Sequence, residues 1–233
     1  MSKRIRGVLF DLDGTLLDTA HDMMNALNAL RAEEKLAPLP YEKVRCQVSH
    51  GGNALVRLSF GELSPTEHEV MRQRLLDIYR KQLATHTRLF EGGDEMLSDL
   101  ERRGLRWGIV TNKPGWLTAP LLVEVGLHTR ARAVVSGDTF PERKPHPRGL
   151  LHAAQLMGIP PEECVYVGDA ERDAQAAQAA GMYSLIAGFG YLGDDDKADG
   201  WFQHGWLNTP LDLLEWLDAP RTDARQGALG KLS

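Results

Sequence analysis

The sequence predicts an α/β fold, a parallel sheet with a helical cap inserted after its first strand. Three observations carry that prediction. Short apolar, β-rich runs recur along the chain, each run stops at a polar residue, and between Asp18 and about Thr85 the runs give way to apolar residues at helical spacing.

The first run, Val8-Leu9-Phe10, ends at Asp11. Lys3, Arg4 and Arg6 precede it, but a run this short is no signal-peptide core, so no export is expected. In the insert, Met23, Met24, Leu27 and Leu30 recur at helical spacing, as do Leu75, Leu76, Tyr79 and Leu83. Pro38, Pro40, Gly51-Gly52 and Pro65 divide it into about four helices. Because the insert follows the first strand directly, residues 17–86 are expected to lie over the strand ends as a cap.

Three further runs follow. Trp107-Gly108-Ile109-Val110 leads into Thr111 and Asn112, Val134-Val135 into Ser136, Gly137 and Asp138, and Val165-Tyr166-Val167 into Gly168 and Asp169. A fifth strand is read at Tyr183 to Ala187. Continuous apolar runs, rather than alternating ones, are what a parallel sheet covered by helices on both faces requires. In such sheets ligands bind beyond the carboxyl ends of the strands, so the polar endings are expected to meet at one site. Residues 1–16 and 87–218 form the predicted core. The polar, non-periodic tail 219–233 is expected to be flexible.

The chain has 233 residues, 42% hydrophobic and 25% charged, as an ordinary globular protein does. A formal net charge of −5 argues against a general nucleic-acid binder, which needs a basic surface. No stretch of about 20 apolar residues is present, so no membrane helix is expected. Two cysteines, Cys46 and Cys164, are too few for a disulfide framework and suit the cytoplasm. The expected partner is a small molecule rather than a nucleic acid or a membrane, and the chain is expected to act as a monomer or homodimer.

The polar endings carry the chemistry. In Asp11-Leu12-Asp13-Gly14-Thr15 two carboxylates stand two residues apart where a strand enters a glycine turn. One can attack phosphorus and form an aspartyl-phosphate, the role read for Asp11. The other can protonate the leaving oxygen and then deprotonate water, the role read for Asp13. An anionic nucleophile needs positive charge and donors around a phosphate. Thr111, the backbone around Asn112, and Lys144 in the stiff segment Arg143-Lys144-Pro145-His146-Pro147 are read as supplying them. Gly168-Asp169-Ala170-Glu171-Arg172-Asp173 adds two more carboxylates, and carboxylate oxygens suit Mg²⁺. Asp11, Asp169 and the Asp13 carbonyl are read as its ligands, with Asp173 a ligand or one step beyond. Each piece also has an ordinary structural reading: an acidic turn, a helix cap, or a lysine in a proline-rich loop.

Taken in order, D-L-D-G-T, the strand ending in Thr111, Lys144-Pro145 and G-D-x-x-x-D resemble the haloacid dehalogenase superfamily of phosphohydrolases over about residues 5 to 190. The resemblance implies a Rossmann-like core, a helical cap and Mg²⁺. An acid at position 13 is similar to the phosphatases and phosphomutases and unlike the dehalogenases. Within the family the chain most resembles phosphoglycolate phosphatases, including related bacterial enzymes acting on N-acetylmuramic acid 6-phosphate. The latter likeness rests on Ile109-Val110-Thr111-Asn112-Lys113-Pro114, Val48-Ser49-His50-Gly51-Gly52 and Gly188-Phe189-Gly190-Tyr191. Both substrates carry a carboxylate, which makes Arg45, Ser49, His50, Gly51 and Asn53 of the cap the candidates to meet it. A sugar phosphomutase and a phospho-Asp signalling domain are the rival readings.

Overall fold

The computed structural model describes residues 4–193 and 196–219. The tail expected to be flexible lies, apart from Ala219, outside the described residues. In chain order the elements begin with β1 (Gly7–Phe10) and the short β2 (Leu17–Asp18). Four helices follow: α1 (Ala20–Glu33), α2 (Tyr41–Val48), α3 (Gly51–Phe60) and α4 (Pro65–Lys81). The chain then returns through β3 (Arg88–Leu89), α5 (Gly93–Arg102), β4 (Arg106–Val110), α6 (Gly115–Glu124) and β5 (Val134–Val135). It closes with α7 (Arg148–Met157), β6 (Cys164–Gly168), α8 (Glu171–Ala180), β7 (Tyr183–Ala187), β8 (Gly205–Leu207) and α9 (Asp212–Asp218).

Six strands form one parallel sheet in the order β5-β4-β1-β6-β7-β8. Alternation along the strands decides which face each side chain enters. Val8 and Phe10 join Trp107, Ile109, Val165, Val167 and Leu185 on one face, while Leu9, Val110 and Tyr166 pack on the other with Leu150, Ala153 and Met157. Both faces are covered, which is why the strands read as unbroken apolar runs.

The four helices build a separate core from Met23, Leu27, Leu30, Val44, Leu55, Leu75 and Tyr79, all buried. Helix α4 starts at Ser64, whose hydroxyl accepts from the Glu67 N–H while the Glu67 carboxylate accepts from the Ser64 N–H, with Pro65 in the first turn. Where the chain leaves and re-enters the sheet, β2 pairs antiparallel with β3, tying the two connections together. Asp22 of α1 strengthens that tie: its carboxylate accepts from the His86 and Thr87 N–H groups and the Thr87 hydroxyl.

Three short strands escape the sequence reading. The ribbon β2/β3 is two residues per strand, and β8 is three residues with Trp206 partly exposed, too short to show a period.

Candidate active site

Parallel register brings the strand ends level. Phe10 pairs with Ile109 on one side and Val167 on the other, so one residue on, β1 delivers Asp11 beside Val110 and Gly168. Asp11, Thr111, Lys144, Asp169 and Asp173 are all buried within this zone.

Lys144 is its electrostatic centre. Its ammonium lies 2.8 Å from Asp11 Oδ1 and 2.7 Å from Asp173 Oδ1, and donates to the Tyr166 hydroxyl at 2.8 Å. Burial works to lower the Lys144 pKa, but the charges of Asp11 and Asp173 outweigh it and the net shift is upward, so the side chain stays a cation. Asn112 fixes the Lys144 backbone, donating to its carbonyl and accepting from its N–H, both at 3.1 Å. The Asn112 side chain therefore braces the lysine loop, whose Lys144–Pro145 peptide is cis. The Thr111 hydroxyl oxygen accepts from the Lys113 N–H at 3.1 Å, which leaves its own hydrogen to donate.

Asp11 Oδ1 also accepts from the Leu12 N–H at 2.7 Å. Burial pushes the Asp11 carboxyl up to about 6, against the pull of Lys144 and with Asp173 adding to the rise. Asp169 accepts from Thr15, Ser49 and the Tyr191 N–H, all neutral donors, and no cation pairs with it among the described residues. Burial first, then the charges of Asp11 and Asp173, raise it to about 7. Asp173 is better compensated: besides Lys144, its Oδ1 lies 3.2 Å from the Tyr166 hydroxyl, and its Oδ2 accepts from the Ala170 N–H at the start of α8.

Carboxylate oxygens of Asp11, Asp169 and Asp173 lie within 4.8 Å of one another. Clustered, buried and short of positive charge, they fit a hard divalent cation with oxygen ligands. Gly14 keeps the space open. It has φ +80°, and a Cβ there would stand 2.2 Å from Asp169 Oδ2 and 2.7 Å from Ser49 Oγ.

Asp13 faces away from this cluster. Its Oδ1 accepts from Thr19 at 2.7 Å, and both its oxygens meet the Lys113 ammonium, at 2.9 and 3.1 Å. Lys113 is buried under the ring of Tyr79 from α4, with Nζ 4.6 Å from the ring centroid. Burial opposes its charge, Asp13 restores it, and the net shift of the Lys113 pKa is upward. The sequence reading missed Lys113, Tyr79 and Tyr166 as parts of the site. Lys113 is adjacent to Thr111-Asn112, and a tyrosine inside a buried strand or apolar stripe needs a polar partner, so a signal was there.

Of the cap residues singled out from sequence, the structure brings two to the strand ends. Ser49 donates to Asp169 Oδ2 at 2.6 Å and reaches the Asp13 carbonyl at 3.3 Å, so it touches the carboxylate cluster. Arg45 donates to the carbonyls of Phe189 and Gly190 and lies over the Tyr191 ring. His50 sits at the rim against Arg172, and burial followed by that guanidinium charge lowers its pKa. Gly51 opens α3 at φ +77°. Asn53 is exposed, with its carbonyl against the His68 ring, and stands apart from the site.

The profile of the haloacid dehalogenase-like hydrolase family matches residues 8–187. The chain is 46% identical over 211 residues to a phosphoglycolate phosphatase of Xanthomonas campestris pv. campestris, covering 90% of this chain and 95% of that protein. It is 37% identical over 221 residues to an N-acetylmuramic acid 6-phosphate phosphatase of Pseudomonas aeruginosa, covering 94% of this chain and 98% of that protein. A crystal structure described as a predicted phosphoglycolate phosphatase from Haemophilus somnus superposes with a TM-score of 0.80 at 24% identity, over 92% of this chain and 98% of that one. That last likeness bears on the fold.

Proposed function

The chain belongs to the haloacid dehalogenase-like hydrolase family, and we propose that it hydrolyses a small carboxylate-bearing phosphomonoester through a phosphoaspartate on Asp11. Its phosphatase relatives make it a phosphoric monoester hydrolase. The observation that carries the mechanism is the pairing of Asp11 with Lys144 at the end of β1, 2.8 Å apart in a buried site. Among the described residues, the contacts that hold the Asp11 carboxylate, from Lys144 and the Leu12 N–H, fall on Oδ1. Oδ2 is the oxygen available for in-line attack.

Lys144 and the Thr111 hydroxyl hold the phosphoryl oxygens and neutralise their charge, the main requirement of phosphoryl transfer. Asp13 protonates the leaving oxygen and then activates the water that hydrolyses the phosphoaspartate. Asp11, Asp169 and the Asp13 carbonyl would hold Mg²⁺, with Asp173 fixing Lys144 beside them. When bound, Mg²⁺ supplies electrostatic stabilisation of charge developing on the phosphoryl group. Ser49 and Arg45 bring α2 down onto the strand ends, so cap closure excludes water.

Phosphoglycolate and N-acetylmuramic acid 6-phosphate are the substrates named for the relatives, and both join a carboxylate to a phosphate ester. The identity of 46% against 37% favours phosphoglycolate. Both cysteines are free, which fits a reducing cytoplasm. Among the described residues no helix is long and apolar enough to cross a membrane.

The test is phosphate release with and without Mg²⁺ from phosphoglycolate, N-acetylmuramic acid 6-phosphate, hexose phosphates and an aryl phosphate. Mg²⁺-dependent release favouring an acid-bearing ester is expected. Isomerisation of a sugar phosphate with little free phosphate would move the assignment to a phosphomutase.

A further inference from the structure

Two groups beside Asp13 have no part in handling the phosphate. Lys113 is a buried ammonium, 6% exposed at its side chain, held against both oxygens of Asp13. Tyr79 of α4 is fully buried, and its hydroxyl lies against the Lys113 ammonium, a donor, but finds no acceptor for its own hydrogen. Buried hydroxyls nearly always donate to an acceptor, so one held against a buried cation with none in reach calls for a missing anion. The Lys113 ring contact places the cation and the phenol together, one borne on the loop after β4 and the other on the cap.

The position of this pair matters. Lys113 follows Thr111 by two residues, and its N–H is bonded to the Thr111 hydroxyl, so the ammonium springs from the edge of the phosphate cradle. It reaches Asp13, the carboxylate assigned to the leaving oxygen, and holds it turned aside. An anion on the leaving alcohol, a few bonds from phosphorus, would meet Lys113 and Tyr79 together.

We propose that the Lys113 ammonium and the Tyr79 hydroxyl form the binding site for the substrate carboxylate, which takes the place that the Asp13 carboxylate occupies in the structure. This rests on the phosphomonoesterase reading and specifies its substrate class: esters whose leaving alcohol carries a carboxylate close to the ester oxygen. The carboxylate accepts from the ammonium and the phenol, giving the Tyr79 hydroxyl its acceptor, and Asp13 is released to turn toward the leaving oxygen. Tyr79 stands on the cap, so the acid group of the substrate also bridges cap and core.

The experiment compares phosphoglycolate with 2-hydroxyethyl phosphate, in which a neutral hydroxymethyl group replaces the carboxylate. The full chain with Mg²⁺ is assayed for kcat and KM, and the metal-free chain is titrated calorimetrically with the same two ligands. Wild type should prefer phosphoglycolate in both measurements. Tyr79→Phe, which removes only the hydroxyl, should cut the preference roughly tenfold, and Lys113→Met roughly a hundredfold, mainly through KM for phosphoglycolate. Equal handling of the two ligands by wild type, or variants that weaken both ligands equally, would overturn the proposal. Absence of hydrolysis with the binding preference intact would instead sink the phosphatase mechanism and leave this subsite standing.

Discussion

Ser49, at the end of α2, donates its hydroxyl to Oδ2 of Asp169 at 2.6 Å, so a cap residue touches the carboxylate cluster at the ends of the strands. Arg45, one turn earlier, completes the contact by donating to the carbonyls of Phe189 and Gly190. Cap position and site geometry are therefore linked through one short helix.

Arg45→Ala removes hydrogen bonds from a charged donor, each contributing about 1.5–3 kcal/mol. The helix stays in its bundle through buried Val44 and Val48. We expect kcat/KM to fall roughly tenfold or more while the thermal midpoint moves little. Steady-state kinetics and a melt on the same sample check this. Unchanged kcat/KM would mean that closure does not depend on this contact.

Lys144 is 3% exposed and contacts two carboxylates, Asp11 and Asp173. Replacing it by Met leaves both buried and unpaired, a loss of roughly 3–5 kcal/mol for a broken buried ion pair. The loss should be larger at pH 8 than at pH 5, where Asp11, raised to about 6, is mostly protonated. Denaturant unfolding of the metal-free variant at the two pH values measures it. A loss independent of pH would contradict the assignment.

The folded-state values of Asp11 and Asp169, about 6 and about 7, lie above the ordinary 3.8. Folding thus favours their protonated forms. Their contribution to stability is complete below 3.8 and is lost as pH rises through 6 and 7. Metal-free protein should therefore melt lower at pH 8 than at pH 5. Mg²⁺, competing with protons for the same oxygens, should stabilise more at pH 8. Asp169→Asn should flatten the pH dependence and weaken the Mg²⁺ effect. Equal Mg²⁺ stabilisation in wild type and Asp169→Asn would remove Asp169 from the metal site.

Much of this arrangement is legible in the sequence because parallel strands buried on both faces write themselves as apolar runs, and the residue after each run lands at the site. Val8-Leu9-Phe10 before Asp11 and Val165-Tyr166-Val167 before Gly168-Asp169 are of this kind. Lys113 was legible only as a neighbour of Thr111-Asn112. Its partner Asp13 lies 100 residues away in sequence, and only the fold brings the two together. The structure brings part of the cap segment to the strand ends, but its sequence does not give the direction of each side chain. Ser49 turns into the carboxylates and Arg45 onto core carbonyls, while Asn53 faces outward, and helix phase relative to a distant sheet decides which. Strand β8 was lost because three residues carry no measurable period.

The most direct test of the account is an acid quench during turnover of phosphoglycolate with Mg²⁺, followed by mass analysis of the peptide containing Asp11. The account predicts added mass of one phosphoryl group on Asp11, absent from Asp11→Asn, whose turnover falls by at least about a thousandfold, or about 4 kcal/mol at 1.36 kcal/mol per tenfold. Unmodified Asp11 in an active enzyme, or an Asp11→Asn variant near the wild-type rate, would contradict it.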